Sequence, residues 1–585
     1  MQPAEQGYFQ ARVAEAGDGT LYRYSPDGQG PWPDPCSRFQ PMGPHGPSQV
    51  VDPSRFQWSD GDRRGAGLQG QVYYELHIGT FTADGTFDSA IDRLPYLKDL
   101  GVTVLELLPV AEFPGSFNWG YDGVDLFAPF HGYGDARAIA RFIDAAHALG
   151  LAVVLDVVYN HLGPDGNYLT KYSPHYFTDR YANDWGASIN FDGPHSHGVR
   201  AFFCENARYW IEDLHFDGLR LDATQSIHDG GRDHVLADIV DAARAASPDR
   251  PILISAENEP QIAYGLLSRE QGGYGFDAMW NDDFHHSARV AATGRHEGYF
   301  NDYRGAPQEF ISAAKRGFLY QGQHYAWQKQ RRGTPVTSQP AASFIVFTQN
   351  HDQVANTLYG QRLHEITSPG RDRALTALLL LGPWTPMLFM GQEFIASAPF
   401  PFFADHHAEL RSLVHAGRRE FMSQFVSYAT PAAQARVLDP GDEAVFRSAK
   451  LDWSELDKAR HAQTHAMVRD LLRVRREDPV VAAQDRRALD GAVLGATSFA
   501  LRFFAPDPAM GDRLLVVNLG PQCELDVVPE PLLVAPPGAD WKLAWSSDDP
   551  AFGGPGTSPQ NRDGRWNIGG EQATLLVATR SDDGR

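Results

Sequence analysis

Three carboxylates in this 585-residue chain stand where apolar stretches end: Asp222, Glu257 and Asp352. Asp222 closes the segment Asp217-Gly-Leu-Arg-Leu-Asp222. In a strand, residues two apart share a face, so Arg220 and Asp222 point the same way while Leu219 and Leu221 point the other. A neighbouring guanidinium keeps a carboxylate ionised, which suits a nucleophile. Glu257 ends Ile252-Leu-Ile-Ser-Ala-Glu257. Emerging from an apolar strand, it is expected to have a raised pKa and to suit a general acid. A lone Arg–Asp pair is more often a structural bridge. With two further carboxylates at strand ends, the set matches what glycosidic bond cleavage needs, one carboxylate nucleophile and one carboxylic acid. Asp352, in Asn350-His351-Asp352, would grip sugar hydroxyls and help distort the ring. His161 and His351 would donate hydrogen bonds to hydroxyls beside the reacting carbon. Tyr121, within the aromatic segment 119–127, would stack on the sugar being cleaved.

Such a set needs a scaffold that brings strand ends together. From residue 71, apolar runs of strand length alternate with longer amphipathic segments. The runs are 72–78, 102–110, 152–159, 218–222, 252–256, 278–280, 344–347 and 386–390. Helices are expected between them, for example over 89–100 and 135–149. Near-continuous apolar strands alternating with helices imply a parallel sheet buried on both faces. Eight units over about 320 residues point to a (β/α)8 TIM barrel, whose chemistry lies at the C-terminal ends of its strands. Read in order, those ends carry His77; Asp156, Asn160 and His161; Arg220 and Asp222; Glu257; and Asn350, His351 and Asp352. A doubly wound open sheet is the alternative, but no glycine-rich phosphate loop opens its first helix.

The barrel with its loops is expected over 70–485. Asp156 and Asp222 are 66 residues apart, about twice a minimal strand–helix unit, and the excess is an inserted loop over 162–200. Residues 1–69 are expected to hold two β-strands, 8–13 and 20–24, followed by a linker over 31–69 that hugs a surface. They look like the residue of an N-terminal β-sandwich. Residues 486–585 alternate strands with Gly/Pro/Asp turns and are expected to form a C-terminal β-sandwich.

Bulk composition narrows the partners. The net charge of −22 repels phosphate backbones, so no nucleic acid partner is expected. The chain carries 12 Trp, 22 Tyr and 34 Phe; most of these fill a large core, and some are available to stack on sugar rings. Cys36, Cys204 and Cys523 show no paired spacing, which argues against a disulfide framework or a zinc site. The N-terminus has neither the basic start nor the apolar run of a signal peptide, and no apolar stretch is long enough to span a bilayer. A cytoplasmic monomer or homodimer without membrane contact is the simplest expectation. No cofactor and no metal is expected. Asp282-Asp-Phe-His-His286 lacks the i, i+4 spacing of a paired-histidine site, and no acidic calcium loop accompanies Asn160.

Four segments carry a specific resemblance. Asp156-Val-Val-Tyr-Asn-His161, Gly218-Leu-Arg-Leu-Asp222, Glu257 after its strand and Asn350-His-Asp352 resemble, in order, the four sequence regions of the α-amylase superfamily, glycoside hydrolase family 13. The resemblance implies a retaining mechanism through a covalent intermediate on Asp222, acting on α-glucosidic bonds. Tyr121, Asp156, His161, Arg220 and His351 would then surround the substrate. Further segments are similar to a family within it, the maltooligosyltrehalose trehalohydrolases. These are 33–41 running into 45–52, Tyr74-Glu-Leu-His-Ile-Gly-Thr80, Gly163-Pro-Asp-Gly-Asn-Tyr168, Trp280-Asn-Asp-Asp-Phe-His-His286 and 399–405. That resemblance implies an α-glucan oligosaccharide substrate ending in trehalose, with Asp282, Asp283 and His286 on the trehalose side. Two departures stand out: only the last strands of the family's N-terminal sandwich remain, and Thr224-Gln225 replace a histidine or lysine that relatives often place there. A branching or debranching enzyme of the same superfamily, and a barrel that only binds carbohydrate, are the competing readings.

Overall fold

The computed structural model describes residues 1–4, 8–557, 561–562 and 565–580. Eight parallel strands close into a barrel: β1 (Tyr73–Leu76), β2 (Val104–Leu107), β3 (Ala152–Val157), β4 (Gly218–Leu221), β5 (Leu253–Ala256), β6 (Ala278–Trp280), β7 (Phe344–Val346) and β8 (Thr385–Phe389). Each falls inside or within one residue of an apolar run named above. The closure pairs β8 with β1, Phe389 lying opposite Glu75. The open-sheet alternative is thereby excluded.

Strand parity divides the core in two. Tyr73, Val104, Val154, Leu253, Ala278, Ile345 and Met387 fill the barrel interior. Their neighbours, among them Tyr74, Leu105, Val153, Leu219 and Ile254, face outward and join the larger core beneath the helices. Towards the C-terminal ends the interior turns polar, with Glu75, Glu106, Asp156, Arg220 and Ser255 at most 3% exposed. Burial on both faces explains why these strands look apolar throughout rather than alternating.

The helix expected over 89–100 is broken into Phe87–Ile91 and Leu94–Leu100. Pro95 is tolerated only in a first turn, where its missing N–H costs nothing, so the second helix begins there. The inserted loop holds a short helix, Leu169–Tyr172, and a two-residue hairpin, Phe177–Thr178 with Ser188–Ile189. The helix Ser196–Glu212 starts within its last residues. At the C-terminus a five-stranded antiparallel sheet (489–580) faces a three-stranded one. It docks on the barrel through Phe310 stacked on Phe499, centroids 5.6 Å apart, and through Arg371, which pairs with Glu571 at 3.0 Å.

Both expected N-terminal strands are present in shortened form, each with its own partner. Phe9–Gln10 pairs with Gln2–Pro3, and Leu21–Tyr22 pairs with Ser48–Gln49. The second partner lies inside the supposed linker, which turns back because its residues find better partners on the barrel. Arg38 lies over the rings of Phe127 and Tyr209, 4.7 and 4.1 Å from their centroids, and Tyr172 donates to the Pro33 carbonyl at 2.7 Å.

The same stretch is pinned at the N-terminal end of the barrel. Asp60, its side chain 4% exposed, accepts from His147 (2.8 Å) and His215 (2.9 Å). Arg63 reaches Asp217 at 3.4 Å and the His215 carbonyl at 2.7 Å. Asp217 also accepts the backbone N–H of Val153 at 2.9 Å, so the residue just before β4 is clamped from below. Burial pushes Asp60 up, but the hydrogen bonds and charges of His215 and His147 hold it below the usual carboxylate range. Breaking such a buried network typically costs about 3–5 kcal/mol. Asp60→Ala is therefore expected to lower stability by that order in urea unfolding at neutral pH. Because the folded pKa is depressed, the native residue's advantage is present above the ordinary carboxylate pKa of about 3.9 and is lost as pH falls through the folded value. Equal urea midpoints for variant and native protein at pH 7 would show that the clamp contributes nothing.

Candidate active site

Gly218 opens β4 because a side chain there would meet the Leu253 carbonyl at 1.9 Å. Close approach of β5 brings Arg220, two residues on, into the barrel axis, where it is fully buried. Its Nη1 donates to Asp156 Oδ2 (2.6 Å) and to Asp222 Oδ1 (2.9 Å), and its Nη2 to Glu257 Oε2. Three carboxylates from β3, β4 and β5 thus meet on one guanidinium. Trp280 of β6 lies beneath it, the ring centroid 4.0 Å from the guanidinium carbon. Asn160 donates to Asp222 Oδ2 at 3.1 Å. The next residue, Ala223, is held at φ 38°, ψ 52°, a left-handed conformation that costs a non-glycine residue roughly 1–3 kcal/mol and is found chiefly where structure overdetermines it. Here Thr224 does so, its N–H and hydroxyl both donating to the Glu257 carbonyl, at 2.9 and 2.6 Å.

The two central carboxyls are shifted unequally. Burial pushes Asp222 up to about 6, Arg220 opposing. Burial again, with Asp222 and Asp352 adding repulsion, pushes Glu257 up to about 8. Each carboxyl acts on the other, Glu257 lowering Asp222 and Asp222 raising Glu257. At neutral pH the arrangement holds one carboxylate and one carboxylic acid side by side.

The opposite wall comes from β7 and the helix His351–Ala355, capped by Asn350. His351 Nδ1 lies 2.6 Å from Glu75 Oε1, and its Nε2 lies 3.6 Å from Asp352 Oδ2. Asp352 itself is open to the cleft, its side chain 44% exposed. Tyr121 stacks on His351, centroids 5.2 Å apart, and donates to Asp156 at 2.6 Å. Asp282 begins the helix Asp282–Thr293, and burial pushes its carboxyl up to about 8, with Glu257 among the charges facing it. Beyond Thr224, Gln225 and Asn258, the residues following the two carboxyls, opens a cavity of about 460 Å³ flanked by Tyr181, Tyr264 and Tyr274.

Other expected site residues are placed differently. Arg220 cannot touch a sugar, being 0% exposed; it organises the carboxylates instead. His161 has both nitrogens against protein atoms, Nδ1 2.9 Å from Asn160 Oδ1 and Nε2 3.0 Å from the Tyr121 carbonyl, so it builds the wall rather than offering a free donor. Asp283 turns inward, accepting from Leu319 N (2.7 Å), Tyr320 N (2.8 Å) and the Tyr303 hydroxyl (2.6 Å). His286 packs against Tyr299, Phe300 and Tyr303, burial lowering its pKa, and its Nδ1 lies 3.0 Å from that of His285. Both belong to the buried face of their helix, Asp283 bracing the segment 318–332 and His286 the segment 299–303. His77 is likewise structural, its Nε2 2.9 Å from the Asn118 carbonyl. Glu75 and Trp280 were not singled out from sequence; a charged residue inside the apolar run 72–78 was the available signal for the first.

Comparison with known proteins agrees with this geometry. The alpha amylase catalytic-domain family matches residues 50–197, and a domain of unknown function, DUF3459, matches 486–560. The malto-oligosyltrehalose trehalohydrolase of Deinococcus radiodurans is 41% identical over 510 residues, 86% of this chain and 81% of that enzyme. The chain belongs to the malto-oligosyltrehalose trehalohydrolase family. The 1,4-alpha-glucan branching enzyme GlgB of Burkholderia thailandensis is more distant, 29% identical over 67% of this chain and 49% of its own. Among solved structures, an alpha amylase candidate from Salmonella typhimurium superposes with a TM-score of 0.86 at 35% identity, covering 99% of this chain and 94% of that one. The expected (β/α)8 barrel with a C-terminal β-domain therefore holds for a family member. Among the described residues no helix is long and apolar enough to cross a membrane.

The unequal carboxyls make a pH dependence. Below about 6 Asp222 takes up a proton, and above about 8 Glu257 loses its own. A bell-shaped kcat/KM with limbs near those values is expected from initial rates between pH 4 and 10. A flat profile across pH 6–8 combined with limbs near 4 would contradict the assignment.

Proposed function

We propose that the protein is a retaining glycoside hydrolase that cuts the α-1,4-glucosidic bond next to the trehalose unit of maltooligosyl trehalose, releasing trehalose and a maltooligosaccharide. The observation that carries the chemistry is the shared guanidinium of Arg220, which holds Asp222 and Glu257 together with their pKa values on either side of neutrality. Two carboxyls gathered on one guanidinium fit the close pair of a retaining enzyme better than the roughly 6.5–9.5 Å spacing that leaves an inverting enzyme room for a water. Membership of the trehalohydrolase family supports the choice of substrate.

Asp222 attacks the anomeric carbon while Glu257 gives its proton to the departing glycosidic oxygen. The products of this step are a β-glucosyl ester on Asp222 and a free trehalose. Glu257, now a carboxylate, takes a proton from water, which attacks the same carbon, frees the maltooligosaccharide and restores both groups. Asp352 and His351 hold hydroxyls of the sugar being distorted, and Tyr121 supplies the ring face beneath it. Asp282, beside Glu257, and the cavity beyond Thr224 and Asn258 receive the leaving disaccharide.

Two measurements test this reading. Product analysis with maltooligosyl trehalose and with plain maltooligosaccharide should give trehalose from the first and far slower cleavage of the second. Equal release of glucose or maltose from both would sink the trehalose claim, and new branch points in treated amylose would point to a branching enzyme. Asp222→Asn should cut kcat by about 10⁴-fold or more while thermal unfolding and sugar binding stay near native. Retained turnover in that variant would remove Asp222 as nucleophile.

A further inference from the structure

Glu75 is a charged side chain in the middle of a fully buried barrel strand, 1% exposed, on the side of the cleft away from Asp222 and Glu257. Burying a carboxylate is costly unless it is paired and hydrogen-bonded. Its two oxygens are both committed to one residue: Oε1 lies 2.6 Å from His351 Nδ1, and Oε2 accepts the His351 backbone N–H at 3.0 Å. This grip fixes the ring's position and its rotation together. It leaves Nε2 as the edge turned to Asp352, at 3.6 Å, too far for a direct bond and close enough for both to reach one hydroxyl.

We propose that Glu75 is a positioning residue for the reaction: by holding the backbone and Nδ1 of His351, it presents the Nε2 edge, with Asp352, to one hydroxyl of the sugar being distorted. This rests on the hydrolase reading above and adds a residue that never meets the substrate. The electrostatics agree with the geometry. Burial lowers the His351 pKa, but Asp352 and Glu75 outweigh it and raise the value to about 9, Arg220 opposing. Glu106 of β2, Asp156 of β3 and His77 after β1 also face the imidazole. The rings of Tyr121, Trp119 and Trp280 enclose it. Burial raises Glu106 above its ordinary value, with Arg220 opposing. Glu75 and Asp352 thus keep His351 an imidazolium, with Nε2–H available to the cleft through the pH range set by Asp222 and Glu257.

The test is the pH profile and a double-mutant cycle. Glu75→Gln keeps the volume and one hydrogen bond but removes the charge. The kcat should fall by about 10- to 100-fold, the loss expected for a charge-assisted hydrogen bond, while KM changes less than about threefold. The alkaline limb should move to lower pH as His351 loses its proton more readily, and Glu75→Asp should move it part of the way back. In a His351→Gln background, Glu75→Gln should cost almost nothing further, because the two act as one unit. An unchanged pH profile, or full additivity of the two substitutions, would leave Glu75 as packing only and overturn the proposal. If Glu75→Gln fails to fold, histidine-selective NMR of the native protein decides. The ring signals missing from His351→Gln must report an imidazolium at pH 7, and a neutral ring there overturns the proposal. Failure of native protein to cleave maltooligosyl trehalose strikes the substrate reading instead. The Glu75 comparison can still be made on any α-glucan the enzyme cuts.

Discussion

One buried cation holds this site together. Arg220 lies on the barrel axis with Asp156, Asp222 and Glu257 on its two terminal nitrogens and the face of Trp280 below. A lone arginine in such a place would pay a desolvation penalty of several kcal/mol, and so would each carboxylate. None is stable there without the others. The planar fork matters as much as the charge, since its two separated nitrogens reach acids on three strands where a compact ammonium offers a single nitrogen. One positive charge shared among three acids leaves them under-compensated, and burial then raises Glu257 above Asp222. The two carboxyls are gathered by one cation and set apart by burial.

The scaffold serves this cluster by dividing the barrel interior along its axis. Its lower part is an apolar plug of side chains such as Val104, Val154, Leu253 and Ile345. Its upper part is polar, and its members are supported from strands around the barrel: Glu75 on His351, Asn160 on Asp222, Thr224 on the carbonyl of Glu257. The strained turn at Ala223 is tolerated because its neighbours leave it no alternative. At the far end, Asp60, Arg63 and His147 lock Asp217, so β4 is held at the residue before Gly218 as well as at the residue after Leu221.

Much of this was legible in the residues. The eight barrel strands were visible as apolar runs because both their faces are buried, and the carboxylates stood out where those runs stopped. Glu75 broke its run in the same way but lay inside it, where a polar residue usually marks only a structural contact. Trp280 looked like any core aromatic. Asp283 and His286 were taken with Asp282 because they are close in sequence, yet the helix turns them to a different side from Asp282. Asp282, at the first turn, feels the charge of Glu257, while Asp283 and His286 face the buried side of the helix. A partner of the N-terminal strands went unforeseen for a related reason. Ser48–Gln49, which pairs with Leu21–Tyr22, is short, polar and distant in sequence, and nothing local announces it.

By itself the sequence determined the barrel, the order of its strands and the identity of the acids at their ends, because strands buried on both faces read as local apolar runs that stop where the acids begin. Only the tertiary structure decided how those acids differ. The pKa separation of Asp222 and Glu257, the inward turn of Asp283 and the grip of Glu75 on His351 depend on distances between strands far apart in sequence. Desolvation and charge–charge interaction act through space, and no spacing along the chain encodes them.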